Sequence, residues 1–333
     1  MNTSCQISKI QSPDVSVVIP THNRLSMLEK ALASVFAQEF DGTIEIIVID
    51  DNSQDGTSEV VSQKYPDVCL ITLKENVGAY VTRNRGVLEA KGKYIAFLDS
   101  DDIWETNYLK TQVAALEGKE QCFSVSAITI WYKNESRKFI FFQKPNLERY
   151  TSSIHELLVR FSFIRTLSSV IFPRSVFDEI GLFDETFRVG ADRELYLRCL
   201  IAGYCPIFTE QPLAVWQKHE DQLTQVDASK IELRKDTRIA YLERYFDTLN
   251  QQFYIPPIRR LYAEIYSSSA RDYYSNRLFR RWIISSIHLA KYSSIKYALL
   301  NMMRDVLRPT KKYIPSHVLN TIKHRFLFDS FST

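Results

Sequence analysis

The chain has 333 residues, of which 45% are hydrophobic and 24% are charged, and its formal net charge is +3. These values are close to those of ordinary globular proteins, so they exclude a wholly disordered or fibrous chain. The 9 glycines lack the spacings of a dinucleotide fingerprint, a P-loop or a nucleophile elbow, which argues against dehydrogenase, P-loop kinase and α/β-hydrolase functions.

The first hundred residues alternate short runs rich in Val and Ile with amphipathic segments. This pattern is typical of a buried parallel sheet with helices on its faces, so the predicted fold class is α/β with a mostly parallel central sheet. The predicted strands are Val15–Pro20, Ile44–Asp50, Val68–Leu73 and Tyr94–Asp99, and the predicted helices are Leu25–Ala37, Ser58–Lys64 and Tyr80–Ala90.

Polar residues follow three of these strands at the point where each strand ends. They are Thr21-His22-Asn23 after the first strand, Asp50-Asp51-Asn52-Ser53 after the second and Asp99-Ser100-Asp101-Asp102 after the fourth. In an open α/β sheet the carboxyl ends of the strands share one edge, and ligands bind there. We therefore expect the three polar clusters to converge on one site.

The chain beyond Trp104 mixes strand and helix patterns. A helix is predicted after Trp104 to about Leu116, and others at Ile154–Phe161, Ser175–Ile180 and Arg193–Ala202. Strands are predicted at Phe123–Trp131, Phe139–Phe142, Thr166–Pro173 and Leu213–Trp216. From residue 228 onward the pattern is helical.

The charge and the cysteines are informative about organisation and compartment. Residues 1–227 contain 23 basic and 31 acidic side chains, whereas residues 228–333 contain 19 basic and 8 acidic ones.

The 5 cysteines are scattered without a C-x-x-C pair, so we expect free thiols in a reducing compartment. Because neither a signal peptide nor an apolar run of about 18 residues occurs, we expect a cytoplasmic protein, attached at most to the inner face of a membrane.

Asp99 and Asp101 form an Asp-x-Asp motif after a strand, with Asp102 next to them. Adjacent carboxylates repel one another unless a positive charge lies among them. Mg²⁺ or Mn²⁺ binds one or two carboxylates together with phosphate oxygens, and so can join a protein to a nucleotide diphosphate. A solvated acidic turn that caps a helix is the alternative for these residues taken alone.

Several further segments accompany this motif in a set order along the chain. They are Val15–Arg24, Glu45–Thr57, Thr82–Gly86, Lys93–Asp102, Gly181–Glu185, Gly190–Arg198 and His219–Thr224. Together they resemble the family 2 glycosyltransferases of the GT-A fold over roughly residues 14–225. That family transfers a sugar from a nucleotide diphosphate sugar to an acceptor with inversion at the anomeric carbon, usually with Mg²⁺ or Mn²⁺. The resemblance implies an N-terminal extension over residues 1–13, a catalytic domain over 14–227 and a basic helical region over 228–333.

The resemblance also assigns roles to individual residues. It implies that Asp192 is the general base that takes the proton of the acceptor hydroxyl, and that Asp99, Asp101 and His219 hold the metal. The implied nucleotide-sugar-binding residues, for a donor that is most often a UDP-sugar, are Pro20, Thr21, His22, Asp51, Arg83, Asn84 and Ser100. Ser168 and Ser169 match small residues on the acceptor side.

Two departures from the family pattern keep a second function open. Ala191 stands where the family has Glu before the base, and His22 stands where tyrosine is more common. A helix N-cap is the structural alternative for Asp192, and it is compatible with catalysis. The predicted function is a metal-dependent inverting glycosyltransferase that acts on a glycan, glycolipid or lipid-linked acceptor in cell-surface polysaccharide synthesis. A non-catalytic sugar-nucleotide-binding or scaffolding protein is the alternative.

The basic C-terminal region contains an amphipathic helix pattern. Its basic face comprises Arg277, Arg281, His288 and Lys291, and its apolar face comprises Phe279, Trp282, Ile283 and Ala290. Such a helix either lies on an anionic membrane or docks its apolar face on the rest of the protein. The region has no nucleic-acid-binding motif or stacking platform, so no nucleic-acid partner is expected.

Overall fold

The computed structural model describes residues 12–132, 137–142, 163–218, 228–253 and 255–307. The chain divides into two compact units, and the described residues up to 218 belong to unit 1 while those from 228 belong to unit 2. The helix predicted at Ile154–Phe161 and the predicted metal ligand His219 lie outside the described residues.

Unit 1 combines one large sheet with helices, as the alternating pattern predicts. Its strands are β1 Val15–Thr21, β2 Ile44–Asp50, β3 Cys69–Thr72, β4 Tyr94–Phe97, β5 Ile103–Trp104, β6 Cys122–Tyr132, β7 Arg137–Phe141, β8 Val170–Pro173 and β9 Cys205–Lys218. Its described helices are α1 Leu25–Phe36, α2 Thr57–Lys64, α3 Ala79–Glu89, α4 Tyr108–Ala114, α5 Ser175–Ile180 and α6 Ala191–Ile201. The strand order is β3-β2-β1-β4-β8-β6-β9-β5, with β7 paired to β6.

The N-terminal half of this sheet is parallel. β1 pairs with β2 and β4, and β2 pairs with β3, all in the parallel sense. These strands are rich in Val and Ile because both faces of a parallel sheet are covered by helices. Thr21 lies opposite Asp50, so the polar clusters after β1 and β2 begin at the same level of the sheet. The predicted shared edge is therefore present.

Helices cover both faces of β1. Val17 and Ile19 are fully buried in a cluster that also contains Leu28 of α1. On the opposite face α3 approaches Val18 so closely that a Cβ added at Gly86 would lie 2.3 Å from Val18 Cγ1. Only glycine permits this approach, which fixes α3 against the sheet.

The second half of the sheet is mostly antiparallel and differs in detail from the predicted elements. β8 pairs antiparallel with β4 and β6, and β5 pairs antiparallel with β9. The strand predicted at Thr166–Pro173 is confined to β8, because Leu167–Ser169 form a 3₁₀ turn. The Thr166 hydroxyl caps this turn by accepting the backbone N–H of Ser168 (3.2 Å). The helix predicted after Trp104 covers Tyr108–Ala114, and Trp104 itself is part of β5.

β9 is much longer than the sequence pattern predicts. The apolar pattern indicates only Leu213–Trp216, whereas the strand covers Cys205–Lys218 and runs parallel to β6. Pro206 and Pro212 interrupt the pattern that normally marks a strand. A register shift beside Ala127 accommodates the irregular part of the pairing.

The cysteines differ in state. Cys122, Cys199 and Cys205 are free thiols, whereas Cys69 is disulfide-bonded. The expectation of free thiols throughout is therefore wrong for Cys69. Spacing along the chain does not show which residues approach one another in the folded state, and disulfide formation depends on that approach.

Unit 2 is helical, which confirms the predicted C-terminal helical region. Its described helices are α7 Ala228–Gln252, α8 Ile258–Ser275, α9 Phe279–Tyr292 and α10 Ile295–Leu307. A small core of Ala263, Leu289 and Ala298 joins α8, α9 and α10. Among the described residues, no helix combines the length and hydropathy that a membrane span requires.

Candidate active site

Helix α3 begins beside the polar ends of β1 and β2. Gly78 caps it with a φ of 90°, a conformation that glycine adopts without strain. Asp51 fixes this entry, because its two carboxylate oxygens accept the backbone N–H groups of Val77 (2.8 Å) and Gly78 (2.9 Å). A carboxylate at a helix N-terminus is also favoured by the helix dipole. Asp51 therefore anchors α3, a role that the sequence does not reveal.

The next residue of this helix to reach the site is Tyr80. Its hydroxyl donates to Oδ1 of Asp192 (3.0 Å) and accepts the backbone N–H of Gly190 (3.0 Å). Gly190 caps α6 with a φ of 85°, which sets Asp192 in the first turn of that helix. Burial, and then the charge of Asp192, raise the pKa of Tyr80, so its hydroxyl keeps its proton and remains a donor. Tyr80 thus orients the predicted base.

Arg83, one turn further along α3, reaches the Asp-x-Asp motif. Its guanidinium forms an ion pair with Asp99 and lies 5.4 Å from the ring centroid of Tyr80. Burial opposes the charge of Arg83, but the neighbouring Asp99 carboxylate outweighs it, and the pKa of Arg83 is raised. The second carboxylate of the motif, Asp101, pairs with Arg24 at 3.1 Å. Both predicted metal carboxylates therefore lie beside positive charge.

These contacts make the first turn of α3 a junction between the predicted site residues. Three residues within a six-residue segment bond to three acidic residues that are far apart in sequence. Gly78 bonds to Asp51, Tyr80 to Asp192 and Arg83 to Asp99. One rigid element thus links the polar ends of β2 and β4 to the start of α6. The convergence expected from the strand ends is present.

Asp102 is held differently from its two acidic neighbours. It is almost fully buried, and its Oδ2 accepts the hydroxyl groups of Ser168 (2.7 Å) and Thr166 (3.0 Å). Burial first, and then the charges of Asp101 and Asp99, raise the pKa of Asp102 well above its usual range. Asp102 thus fastens the motif to the turn before β8.

The same serine also positions the motif itself. The Ser168 hydroxyl accepts the backbone N–H of Asp99 (3.0 Å) while it donates to Asp102. On the other side, the side-chain amide of Gln217 donates to the backbone oxygen of Asp101 (2.7 Å). The backbone of the motif is therefore held from both the turn before β8 and from β9.

The residues implied in nucleotide binding lie around the end of β1. Pro20 and Thr21 are buried there, and the Thr21 hydroxyl has no hydrogen-bond partner among the described residues. His22 Nδ1 lies 2.7 Å from the backbone oxygen of Asp51, which ties the two predicted base-binding segments together. An unsatisfied buried hydroxyl is costly, so Thr21 is suited to meet a polar ligand group.

Asn84 and Ser100, the remaining residues implied in nucleotide-sugar binding, are both buried. The carboxamide of Asn84 donates to the backbone oxygen of Phe183 (2.9 Å) and to Glu185 (2.8 Å), and it accepts the N–H of Phe183 (2.9 Å). These bonds fasten α3 to the segment before α6, whatever further contact Asn84 makes. Ser100 is buried in the turn of the Asp-x-Asp motif.

The chemistry of the acidic side chains fits a divalent cation. Among the residues described, no group of three or more His, Cys, Asp or Glu is arranged to hold a metal ion. Mg²⁺ and Mn²⁺ nevertheless need only one or two carboxylates when phosphate oxygens complete their coordination. Asp99 and Asp101 supply such oxygens, and both carboxylates retain some solvent access.

Sequence reasoning missed the partners of the acidic residues. Arg24 and Tyr80 carry no motif signal of their own: Arg24 is the last residue of a segment that the resemblance covers, and Tyr80 lies just before another. Their placement directly after a polar strand end and at a helix start is the signal that was available. Ser168 was noticed only as an acceptor-side residue, whereas its bonds are to Asp99 and Asp102.

A family comparison decides the identity of unit 1. Residues 16–181 match the model described as Glycosyl transferase family 2, and the match includes β1, the Asp-x-Asp motif and α3. The chain belongs to glycosyl transferase family 2. This confirms the resemblance, and the protein is a glycosyltransferase.

The relatives of this glycosyltransferase include several bacterial proteins. It is 29% identical over 227 residues to an uncharacterized glycosyltransferase of Rickettsia typhi, across 66% of this chain and 69% of that protein. It is 31% identical over 150 residues to TuaG of Bacillus subtilis, named for teichuronic acid biosynthesis, across 44% of this chain and 59% of TuaG. The succinoglycan biosynthesis protein ExoO of Rhizobium meliloti is 28% identical over 57% of both chains.

Solved structures confirm the GT-A fold of the glycosyltransferase. TarS 1-349 of S. aureus, solved with UDP-GlcNAc, aligns with a TM-score of 0.53 at 15% identity, over 96% of this chain and 93% of that one. The mannosyltransferase PcManGT of Pyrobaculum calidifontis, solved with GDP-Man and Mn²⁺, aligns with a TM-score of 0.55 at 17% identity, over 95% and 86%.

Proposed function

We propose that this glycosyltransferase moves a sugar, with inversion at the anomeric carbon, from a UDP-sugar to a glycan, glycolipid or lipid-linked acceptor of the cell surface. The relatives TuaG and ExoO, which are named for polysaccharide biosynthesis, support this class of acceptor. TarS was solved with UDP-GlcNAc and PcManGT with GDP-Man, so proteins of this fold accept more than one base. The family resemblance of residues 20–22 and Asp51 favours uracil.

The linkage through α3 is the observation that carries the proposal. Tyr80 holds Asp192 and Arg83 holds Asp99, so one turn of helix sets the predicted base relative to a predicted metal ligand. An inverting transfer needs this arrangement, because the acceptor oxygen attacks the anomeric carbon on the face opposite the departing phosphate. A purely structural cluster has no need to join these residues.

In the proposed reaction, Asp192 accepts the proton of the acceptor hydroxyl as that oxygen bonds to the anomeric carbon. The bond between the anomeric carbon and the phosphate oxygen breaks, and the nucleoside diphosphate leaves with the electron pair. Tyr80 stays protonated and holds the carboxylate of Asp192 toward the acceptor, since its hydroxyl donates to Oδ1. No second base is needed.

Asp99 and Asp101 are the residues that would hold Mg²⁺ or Mn²⁺. The ion, when bound, supplies positive charge to the leaving diphosphate. Arg24 and Arg83 lie against the same two carboxylates and are suited to meet phosphate oxygens with their guanidinium forks. The buried hydroxyl of Thr21 is available for a polar group of the donor.

Substitution of the base tests the catalytic part of the proposal. Asp192→Asn keeps the size of the side chain but cannot take a proton, so we expect kcat to fall by about 10²- to 10⁴-fold with little change in donor affinity. Asp178→Asn is the matched control, because Asp178 is an exposed acid of α5 in the same unit. Near-normal turnover of Asp192→Asn would remove the base assignment.

A thermal-shift panel identifies the donor. UDP-, GDP- and other nucleotide sugars are compared with and without Mn²⁺, and a true donor raises the melting temperature through linkage. We expect a UDP-sugar to give the largest shift, with Mn²⁺ required for most of it. Asp101→Ala should abolish the Mn²⁺-dependent part. Donor stabilisation without any hydrolysis or transfer would favour the alternative of a non-catalytic sugar-nucleotide-binding protein.

A further inference from the structure

Helices α9 and α10 of unit 2 differ from an ordinary amphipathic helix in which side chains they bury. A helix on a globular core normally buries its large apolar side chains and exposes its polar ones. α9 instead buries Ser285 and Ser286 with Leu289, and α10 buries Asn301 and Asp305 with Ala298. The side chains directed away from the Ala263, Leu289 and Ala298 core include large apolar ones.

The exposed apolar residues recur at helical spacing. Their side chains are between 46% and 72% exposed, and they are Phe279, Ile283, Ile284 and Ile287 on α9 and Ile295, Leu299, Met303 and Val306 on α10. Most of them follow one another at intervals of four residues, so each helix carries a continuous apolar stripe. We call these eight residues the apolar stripe. Single exposed apolar residues are common, but a run of them along one helix face is typical of an interaction surface.

The buried polar groups show that this orientation is specific. The Ser285 hydroxyl donates to the backbone oxygen of Tyr266 (3.0 Å) on α8. The Ser267 hydroxyl of α8 donates to Asn301 (2.9 Å). Rotating either helix to bury its stripe would break these bonds and leave polar groups unpaired, which costs more than the bonds themselves are worth. The helices are therefore fixed with the stripe outward.

The charges beside the stripe are of one sign. From residue 277 to residue 307 the sequence has six basic residues and one acidic residue. The basic ones are all exposed, and they are Arg277, Arg280, Arg281, Lys291, Lys296 and Arg304. The acidic one, Asp305, is buried and accepts the indole N–H of Trp282 (3.3 Å). The surface around the stripe is thus mainly positive, and the one exposed carboxylate that pairs with its basic residues among those described is Glu232 of α7, 3.7 Å from Arg281.

We propose that the apolar stripe of α9 and α10 lies in the headgroup region of an anionic lipid bilayer. The apolar side chains enter the boundary of the acyl chains, while the arginine and lysine side chains extend to the lipid phosphates. A second copy of the chain fits this surface less well, because a symmetric pairing would bring like charges together. The proposal concerns unit 2 and does not depend on the donor or the base assignment.

The structure also corrects the sequence-based description of this helix. Phe279 and Ile283 belong to the exposed stripe, whereas Trp282 and Ala290 are half-buried, so the four do not form one docked face. Lys291 lies at the end of α9, and Lys296 and Arg304 on α10 extend the basic surface. The surface proposed to bind the membrane therefore includes residues of both helices.

Vesicle co-sedimentation of the full chain tests the proposal. We expect binding to phosphatidylcholine vesicles that contain about 30 mol% phosphatidylglycerol, weak binding to pure phosphatidylcholine, and loss at high salt. The double variant Ile287→Asn with Ile295→Asn should lower the bound fraction at least about tenfold. Leu88→Asn is the matched control, since Leu88 is an equally exposed apolar residue of α3, and it should bind like the wild type.

Charge reversal gives an independent arm of the test. Lys291→Glu with Lys296→Glu should weaken binding to anionic vesicles more than about tenfold, since each basic residue near the surface strengthens binding about fivefold. Lys110→Glu, an exposed lysine of α4, is the control. All variants should keep the wild-type circular dichroism and melting temperature, because the substituted side chains are exposed.

Several results would overturn the proposal. They are equal binding to neutral and anionic vesicles, no binding to either, or equal losses in the variants and their controls. A chain that elutes at twice its mass, becomes monomeric on Ile287→Asn and ignores vesicles would identify the stripe as an interface between copies. Because the vesicles carry no donor, failure here is distinct from failure of the transferase reaction.

Discussion

Removing one hydroxyl group, by Tyr80→Phe, separates the positioning of the base from its chemistry. The substitution deletes the 3.0 Å bond to Asp192 and the acceptor of the Gly190 N–H, while the ring that faces Arg83 remains. A hydrogen bond to a charged group contributes about 1.5–3 kcal/mol. If that bond holds Asp192 in the attacking geometry, its loss lowers kcat by about 10- to 150-fold. The KM for the donor should change little, because no donor contact is removed.

Steady-state kinetics with donor and acceptor varied separately measure this split. Tyr204→Phe is the matched control, because Tyr204 is a buried tyrosine of the same unit whose hydroxyl donates to Glu179 (2.8 Å). It should cost stability without changing kcat. In an Asp192→Asn background, Tyr80→Phe should have almost no further effect, since the two residues act as one unit. A Tyr80→Phe enzyme with kcat within twofold of the wild type, or equal losses for both tyrosines, would refute the positioning role.

A pair of serine substitutions and a single arginine substitution test the support of the site. Ser168→Ala and Ser169→Ala should each reduce the free energy of unfolding by about 1–3 kcal/mol, measured by urea denaturation. Only Ser168→Ala should also impair donor binding, because Ser168 alone bonds Asp102 and the Asp-x-Asp backbone. Arg198→Ala should cost about 3–5 kcal/mol, since it removes the guanidinium that pairs with the buried carboxylate of Glu194. A loss below about 1 kcal/mol would mean that water or a rearranged side chain replaces the guanidinium.

The sequence predicted the parallel half of the fold well because there each element buries a continuous apolar run. β1 and β2 match their predicted ranges to within a residue. β9 could not be predicted at its full length, because its pairing with β6 and not its own pattern keeps Pro206 and Pro212 within a strand. Strand propensity describes packing against neighbours, and those neighbours are distant in sequence.

The site residues likewise fall into those that the strand pattern predicts and those that depend on tertiary packing. The strand ends identified Asp51, Asp99 and Asp101, because the polarity of a parallel sheet brings its carboxyl ends together whatever the side chains are. The partners of the acids depend on how α3 and α6 approach each other, which Gly86 against Val18 and the glycine caps decide in three dimensions. Tyr80 therefore had no signal beyond its place near a helix start.

The exposed apolar faces of α9 and α10 suggest a reason for the uneven distribution of charge along the chain. The sequence pattern defined two faces of a helix but not which of them is buried, since hydroxyl groups that bond between helices fill a core as apolar ones do. Salt screens charges beyond about 8–10 Å, so an anionic surface senses only the side chains that lie against it. A net charge of +3 spread over the whole chain would attract such a surface weakly. Concentrating basic residues beside the apolar stripe makes both forces act at the same place, while the acidic residues of unit 1 remain available for the reaction.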